Sequence, residues 1–441
     1  MRARFLALES VSPNSGRCPW RIQYKADDIG VAAFFRPPSA IEGTLRREDL
    51  SLIALPILCD LAAEVRPLEV SLDGLGLRPV SLELFNDALA DLLVEQDAYW
   101  NRPNVTPLPR ISGQFAKRAL RRDALSPNRV VLGFSGGKDS IVSLFALLKA
   151  GYEVIPVLLN EGDRTWQDLR KWIVKLERLG LRPMVAYLSS GRRKQLRERY
   201  GDRYFSSYQL GWLMSILALC AVGSGSKVIC LGIESSADFS FTTVSGRTVN
   251  HQHQKTTRHL KLLERFYRHS LHSDLRIASP IAGATDAEVL KVLLTRVPRT
   301  FREFSSCGSA TWRSKHCGEC VKCAFVYALL FASDNGSQLA ARLFRRDLFE
   351  DVEIYRPWLD QRFRMPPACV GARAEVWDVF ETLLRKKDDR PVVKKWKDSR
   401  LREVYAVDGV RRTRARVKRS VLPLLLPVSK AAELLRNWIS E

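Results

Sequence analysis

The chain carries, at residues 130–140, the sequence Val130-Val131-Leu132-Gly133-Phe134-Ser135-Gly136-Gly137-Lys138-Asp139-Ser140. Its apolar first half predicts a buried strand, and the two adjacent glycines after it predict a tight turn. The residues that follow place Ile141, Leu144 and Leu148 on one face of a helix. A strand, a glycine-rich turn and an amphipathic helix in this order indicate the start of a βαβ unit.

The alternation of strands and helices continues as far as residue 231. Apolar runs predict the further strands, and longer periodic or apolar segments between them predict the helices. The predicted segments are the strands Val154–Leu159, Met184–Leu188 and Val228–Leu231 and the helices Thr165–Leu179 and Tyr208–Val222. This rhythm predicts an α/β fold with a doubly wound parallel sheet, whose ligands bind beyond the carboxyl ends of the strands.

The turn after the first strand has the features of an anion site. Consecutive backbone N–H groups at the start of a helix bind phosphate, and adjacent glycines permit its close approach. Lys138 adds a positive charge, and Asp139 is best explained as a magnesium ligand. The spacing fits neither the Walker A motif nor the G-x-G-x-x-G of dinucleotide folds. The residues predicted to bind a triphosphate and Mg²⁺ are Ser135, Gly136, Gly137, Lys138, Asp139 and Ser140.

Four of the nine cysteines crowd into a short segment, at Cys307, Cys317, Cys320 and Cys323. Four thiolates at these spacings suit tetrahedral zinc, and a site with all four positions filled is structural. Unligated buried cysteines and an iron–sulfur cluster are the alternatives. The clustering favours a metal over a disulfide framework and indicates a reducing compartment.

The length and composition indicate a folded protein of several domains. The chain has 441 residues, of which 46% are apolar and 27% are charged, close to the averages for globular proteins. Residues 1–112 are predicted to form an amino-terminal α+β domain, and residues 113–330 the ATP-binding domain with the cysteine cluster. Residues 331–441 are predicted to form a helical, basic carboxy-terminal extension.

The net charge of +22 favours an anionic partner, such as a nucleotide, an acidic metabolite, nucleic acid or a membrane surface. Residues 385–419 contain fifteen Lys and Arg against five Asp and Glu. Aromatic residues are scarce there, so stacking on single-stranded nucleic acid is poorly supported. Nucleic-acid binding and a solvated basic face are both open interpretations of this stretch.

The amino-terminal residues do not form a secretory signal, because Glu9 interrupts them before an apolar region can develop. The longest apolar run, Leu213–Val222, is shorter than the roughly 20 residues that a membrane helix needs. We therefore expect a cytoplasmic protein.

The turn resembles the SGGKDS loop of the PP-loop ATP pyrophosphatases, which cleave ATP between the α and β phosphates. A PP-loop with a cysteine knuckle also occurs in 7-cyano-7-deazaguanine synthases. Further segments make the chain similar, over residues 125–375, to the bacterial ATP-dependent UDP-N-acetylmuramoyl-L-alanyl-L-glutamate epimerases. Besides the loop and the cysteines, the segments that carry this resemblance are Gly232-Ile233-Glu234-Ser235-Ser236-Ala237, Val249-Asn250-His251-Gln252-His253-Gln254-Lys255, Ser279-Pro280-Ile281 and Cys369-Val370-Gly371.

The resemblance implies that the chain inverts the terminal L-glutamate of a UDP-muramoyl dipeptide, or of a related peptide, while ATP becomes AMP and pyrophosphate. Adenylation makes the α-proton removable, because the carboxylate no longer carries a negative charge that an enolate would double. His251 is the first candidate for acid–base catalysis. Lys255 is expected to hold pyrophosphate or carboxylate charge, and Glu234 to bind ribose, magnesium or the substrate amide. Asn160 is a candidate for contact with the nucleotide base.

Two alternatives remain open at this stage. The first is an AMP-forming PP-loop enzyme that modifies a nucleobase, either a deazaguanine or a base in transfer RNA, where the positive charge would serve RNA binding. The second is a zinc-stabilised nucleic-acid-binding protein that does not turn over ATP. Each candidate residue also has a purely structural interpretation. His251 would bond only to the backbone, Lys255 would lie on the surface, and Glu234 would cap a helix.

Overall fold

A computed structural model describes most of the chain. The described residues are 3–13, 20–45, 47–73, 79–99, 106–113, 125–161, 163–189, 194–200, 208–242, 248–250, 252–271, 273–307, 316–360, 373–407 and 421–441.

The strands form one ten-stranded sheet and a small two-stranded one. Those of the large sheet are β1 (Phe5–Pro13), β2 (Trp20–Ala26), β3 (Ile29–Arg36), β4 (Glu69–Ser71), β5 (Arg110–Ser112), β6 (Ser126–Gly133), β7 (Glu153–Asn160), β8 (Met184–Ser189), β9 (Ser226–Cys230) and β12 (Arg276–Ala278). The small sheet pairs β10 (Phe241–Thr242) with β11 (Thr248–Val249).

The helices cover both faces of the large sheet and make up the carboxy-terminal part of the chain. They are α1 (Ser39–Glu42), α2 (Ser51–Val65), α3 (Pro79–Tyr99), α4 (Lys138–Lys149), α5 (Asp163–Glu177), α6 (Lys194–Tyr200), α7 (Gln209–Gly223), α8 (Thr257–Leu271), α9 (Asp286–Arg296), α10 (Val321–Ala332), α11 (Gly336–Leu343), α12 (Val352–Leu359), α13 (Arg373–Arg385), α14 (Pro391–Lys397), α15 (Leu401–Val407), α16 (Leu422–Leu425) and α17 (Ser429–Ser440).

The central strands are parallel and lie in the order β12-β9-β6-β7-β8. The chain therefore starts this region at β6 in the middle, continues outward through β7 and β8, and then returns to add β9 and β12 on the other side of β6. Such an order is that of a doubly wound sheet, with its switch point between β6 and β9. This confirms the predicted α/β class and places a natural ligand crevice at the carboxyl ends of β6 and β9.

Alternate residues of the central strands face two different cores, as the period of a strand requires. Val131, Ile229 and Ile277 pack with the helices α2, α3, α7 and α8. Val130 and Val228 face the opposite side and pack with α4, α9 and α10. The sheet thus separates two hydrophobic cores, called here the α8 face and the α4 face.

The amino-terminal strands extend the same sheet. β3 pairs antiparallel with β8 through residues 34–36 and 187–189, and β2, β1, β4 and β5 follow outward. Residues 1–112 and 113–330 therefore share one sheet, while their boundaries as domains stay a prediction. The described part of residues 331–441 is helical. No helix in the described ranges has both the length and the apolar character to cross a membrane.

Candidate active site at the ends of strands β6 and β9

The glycine-rich turn links the end of β6 to the start of α4, where the sequence predicts an anion site. Gly137 is the residue before the helix, and the Ser140 hydroxyl donates a hydrogen bond to its carbonyl oxygen at 3.0 Å. Gly136 has a φ of +74°, and a Cβ atom there would lie 2.1 Å from Nε1 of Trp172. The turn therefore requires glycine at this position for its backbone angle and for the space that the indole occupies.

Lys138 lies almost fully buried among carboxylates. Its Nζ is 2.5 Å from Oδ1 of Asp139 and also contacts Oδ1 of Asp286, whose side chain is 8% exposed. Burial alone would lower the pKa of Lys138, but the charges of Asp139, Asp286 and Glu234 outweigh it and raise that pKa above its ordinary value. The ammonium group is therefore charged at neutral pH.

Glu234 follows β9 and joins the same group of charges. Burial, together with the charges of Asp286 and Asp139, raises the pKa of Glu234 to about 7, against the opposing effect of Lys138 and Lys255. The Ser236 hydroxyl donates a hydrogen bond to Oε1 of Glu234. A carboxyl group whose pKa is raised toward neutral pH is suited to general acid–base chemistry.

The backbone just after β9 packs directly against the start of α4, next to the glycine-rich turn. A Cβ atom on Gly232 would lie 2.6 Å from the carbonyl carbon of Asp139. The two backbones therefore touch where β6 and β9 diverge. This close approach is what brings Glu234 beside Lys138 and Asp139.

The other predicted site residues differ in how near they lie to the turn. Lys255 lies in the 3-10 turn His253–Lys255, where its Nζ donates to Oε1 of Gln252 at 3.1 Å, and its charge acts on Glu234. Asn160 ends β7, as predicted, one strand along from the turn. His251 lies outside the described residues, as do Cys369-Val370-Gly371 and the basic run 411–419. The structure thus gathers the turn with Glu234 and Lys255, and the roles of all these residues stay predictions.

Asp286 is a site residue that the sequence analysis missed. It is the first residue of α9, whose start is fixed by a capping box: the Thr285 hydroxyl accepts from the backbone N–H of Glu288, and the Glu288 carboxylate accepts from that of Thr285. The T-x-x-E spacing of such a box is visible in a sequence. It could have marked the helix start after β12, but not the contact with Lys138.

The four predicted cysteine ligands form a compact cluster on the α4 face. Their sulfur atoms lie within 4.8 Å of one another, with Cys317 and Cys323 at 3.7 Å and Cys307 and Cys320 at 3.8 Å. Tetrahedral zinc with bonds of about 2.3 Å needs sulfurs about 3.8 Å apart. The hydrogen bond from the Cys323 thiol is the largest cause that lowers the pKa of Cys320, and a lowered thiol pKa favours the thiolate form that binds metals.

The backbone around the cluster also suits a metal. Gly318 adopts a φ of +73° between Cys317 and Cys320, and the N–H of Glu319 points to the Cys317 sulfur at 3.4 Å. The cluster is joined to the glycine-rich turn as well, because Ser305, two residues before Cys307, donates its N–H to the Gly136 carbonyl oxygen at 3.1 Å. A metal held by these thiols would therefore support the turn.

Sequence comparison relates parts of the chain to known proteins. Residues 299–408 match the family model described as the MurL C-terminal domain. The chain is similar to the UDP-N-acetyl-alpha-D-muramoyl-L-alanyl-L-glutamate epimerase of a Micromonospora species, with 26% identity over 323 residues, which are 67% of this chain and 67% of the relative. The predicted resemblance to these epimerases is thereby confirmed.

A second relative matches over a much shorter stretch. It is the 7-cyano-7-deazaguanine synthase 1 of Desulfitobacterium hafniense, with 42% identity over 52 residues. The match covers 12% of this chain and 24% of the relative, so it compares one segment and not two whole proteins.

Proposed function

We propose that the chain is an ATP-dependent epimerase that inverts the terminal L-glutamate of UDP-N-acetylmuramoyl-L-alanyl-L-glutamate, or of a related peptide. The observation that carries the proposal is that the glycine-rich turn, which suits an anion, lies next to a carboxyl group that suits acid–base chemistry. Lys138 and Asp139 of the turn lie within electrostatic reach of Glu234, whose pKa is about 7. The similarity to the muramoyl-peptide epimerase supplies the substrate.

The proposed reaction begins with activation of the carboxylate. A carboxylate oxygen of the substrate attacks the α-phosphorus of ATP, and the bond from that phosphorus to the bridging oxygen breaks, so that pyrophosphate leaves. Ser135–Ser140 would hold the phosphates through backbone N–H groups and the Lys138 charge. Asp139 would hold Mg²⁺, which neutralises phosphate charge when it is bound. Asn160 would contact the base.

Inversion follows on the acyl adenylate. A base removes the α-proton, and the electron pair of the C–H bond moves to the acyl oxygen as an enolate. A proton then returns to the opposite face of the α-carbon, and water hydrolyses the anhydride to the D-glutamyl product and AMP. We assign these proton transfers to Glu234 and His251, and we assign stabilisation of the developing negative charge to Lys255.

The cysteine cluster would play a structural part in the same enzyme. Cys307, Cys317, Cys320 and Cys323 would bind one zinc ion with no open position for substrate. Since Ser305 joins this segment to the turn, the ion would stabilise the backbone that holds the phosphates.

The proposal is tested with UDP-N-acetylmuramoyl-L-alanyl-L-glutamate, ATP and magnesium in deuterated water. The product should contain D-glutamate with deuterium at its α-carbon, and AMP should appear in parallel. A substrate whose terminal residue is L-alanine serves as the control and should release little AMP. If the wild type neither inverts the residue nor forms AMP with this substrate, the proposal is wrong.

A nucleobase-modifying enzyme is the second candidate, because one segment is 42% identical to a 7-cyano-7-deazaguanine synthase. The same AMP assay with a 7-deazaguanine carboxylate in place of the peptide separates the two. AMP release by the deazaguanine alone would favour the second candidate, and release by the peptide alone favours the epimerase.

A further inference from the structure

A second group of potential metal ligands lies on the α8 face of the sheet, away from the cysteines. Oδ2 of Asp87, on α3, is 3.1 Å from Nε2 of His253 and 2.9 Å from Nδ1 of His259, which belongs to α8. All three atoms lie within 4.8 Å of one another. Two imidazole nitrogens thus converge on one carboxylate oxygen.

These spacings are close to those of a metal site. In tetrahedral coordination with bonds of about 2.0 Å, neighbouring nitrogen and oxygen ligands are about 3.3 Å apart. The measured 2.9 and 3.1 Å differ from this by only a few tenths of an ångström. A small outward movement of three side chains would therefore open the space that an ion needs.

The groups behind the imidazoles support this interpretation. The outer nitrogen of His253, Nδ1, is 3.3 Å from Oδ1 of Asp91, and the outer nitrogen of His259, Nε2, is 2.6 Å from the hydroxyl of Tyr208. Metal-binding histidines usually donate their outer N–H to a carboxylate or another acceptor, which leaves the inner nitrogen with its lone pair toward the ion. Asp91 and Tyr208 occupy those outer positions for both rings.

The remaining partners of Asp87 are compatible with an ion as well. Arg258 bonds the other carboxylate oxygen, Oδ1, and so orients the group while Oδ2 faces the imidazoles. The Arg258 side chain is 78% exposed, so water screens its charge. The side chain of His259 is fully buried, whereas that of His253 is 14% exposed, which gives an ion a route from solvent.

We propose that Asp87, His253 and His259 form a second metal site, distinct from the four cysteines, for a divalent ion of the zinc class. Imidazole and carboxylate ligands suit zinc, cobalt and nickel, whereas the absence of thiolate distinguishes this set from the cysteine cluster. The ion would join α3 of the amino-terminal region to the turn that carries Lys255. The site does not depend on which reaction the chain catalyses.

The test measures Zn²⁺ binding to the full chain by elemental analysis and by competition with a chromophoric chelator. The wild type should bind two ions, and His253→Gln should retain one. His269→Gln is the matched control, because His269 lies exposed on the same helix α8 outside the cluster, and it should bind two. When the protein is loaded with Co²⁺ instead, only the cysteine site should give a thiolate-to-cobalt charge-transfer band. That band should persist in His253→Gln, because the ion that this variant loses is not bound by thiolates.

A milder variant keeps the test decisive if His253→Gln does not fold. Asp91→Asn leaves all three ligands in place and should weaken the thiolate-free site about 10- to 100-fold, as loss of an outer partner does elsewhere. The proposal is overturned if the wild type binds Zn²⁺ only at the cysteines. It is equally overturned if a second ion binds His253→Gln, or Asp91→Asn, as tightly as it binds the wild type.

Discussion

The two faces of the central sheet carry ligand clusters that the chain builds in different ways. On the α4 face, three of four thiols come from the seven residues Cys317–Cys323, and Cys307 lies ten residues before them. On the α8 face, Asp87 and His259 are 172 residues apart and meet only because α3 packs against α8. One cluster is largely a local turn, and the other is a product of tertiary packing.

This difference has an energetic meaning. A local turn of thiols cannot hold its shape without an ion, so metal binding there contributes directly to folding. The Asp87 cluster is already held by α3, α8 and the core between them, so an ion would be added to a structure that exists. We therefore expect losses at the thiols to unfold the chain and losses at the histidines to leave it folded.

The largest expected effect is at the thiol cluster. Cys320→Ser should remove the metal and destabilise the fold by many kcal/mol, since structural zinc sites contribute on the order of 10 kcal/mol. Cys220→Ala is the matched control, because Cys220 is fully buried in α7 but lies outside the cluster, and it should cost only about 1–2 kcal/mol. Denaturant unfolding and metal analysis provide the measurement. A Cys320→Ser protein as stable as Cys220→Ala would remove the contrast between the two faces.

The same contrast applies inside the candidate active site, where Lys138 belongs to a local turn and Asp286 reaches it through the fold. Lys138→Ala should lower AMP formation by about 100-fold or more, because the buried charge that we assign to the phosphates is lost. Asp286→Asn should lower AMP formation only about tenfold, since it removes a negative charge next to Lys138 but keeps the Lys138 ammonium group. Lys149→Ala, at the exposed end of the same helix, should have no effect. Equal losses for Lys138→Ala and Lys149→Ala would contradict the assignment of the turn.

A smaller effect concerns the pH dependence of stability. Folding raises the pKa of Glu234 from 4.5 to about 7, so the group stabilises the folded state fully below its ordinary pKa. That contribution is lost as the pH rises through 7, and the loss is on the order of 3 kcal/mol. The stability of wild type relative to Glu234→Gln should therefore fall between about pH 5 and about pH 8. Glu177→Gln, at an exposed position of α5, should follow the wild type. Parallel curves for wild type and Glu234→Gln would contradict the burial of this charge.

The smallest effect tests the helix that brings Asp286 to the site. Thr285→Ala removes the cap of α9 and should destabilise the chain by about 1 kcal/mol. Thr295→Ala, near the exposed end of the same helix, should change stability by a few tenths of that or less. Thermal unfolding measures both. If Thr285→Ala also lowers AMP formation, the cap helps to place Asp286, whereas an unchanged rate would show that the Lys138 contact fixes Asp286 without it.

The parts of the molecule that depend on neighbouring residues could be predicted from the sequence. The central strands and helices followed from apolar periodicity, and β7 covers the predicted strand Val154–Leu159 with one further residue at each end. The spacing of Cys317, Cys320 and Cys323 predicted their cluster. In each case the signal and the structure lie within the same short segment.

The contacts between distant segments could not be predicted in this way. Nothing in the sequence pairs Asp286 with Lys138, or Asp87 with His259, because each contact depends on how helices pack across a finished sheet. The raised pKa of Glu234 is of the same kind, since it comes first from burial and then from charges on two other segments. Candidate residues can be predicted from the sequence, whereas the charged groups around them are known only once the fold is known.

The antiparallel pairing of β3 with β8 also determines what happens when the chain is expressed as two separate fragments. A cut near residue 112 would leave each fragment with an exposed strand edge, β3 on one and β8 on the other. Unpaired edges seek a partner and promote aggregation when none is present. The two fragments, expressed separately, should therefore be poorly behaved alone and should recover a native-like state by complementation when they are produced together.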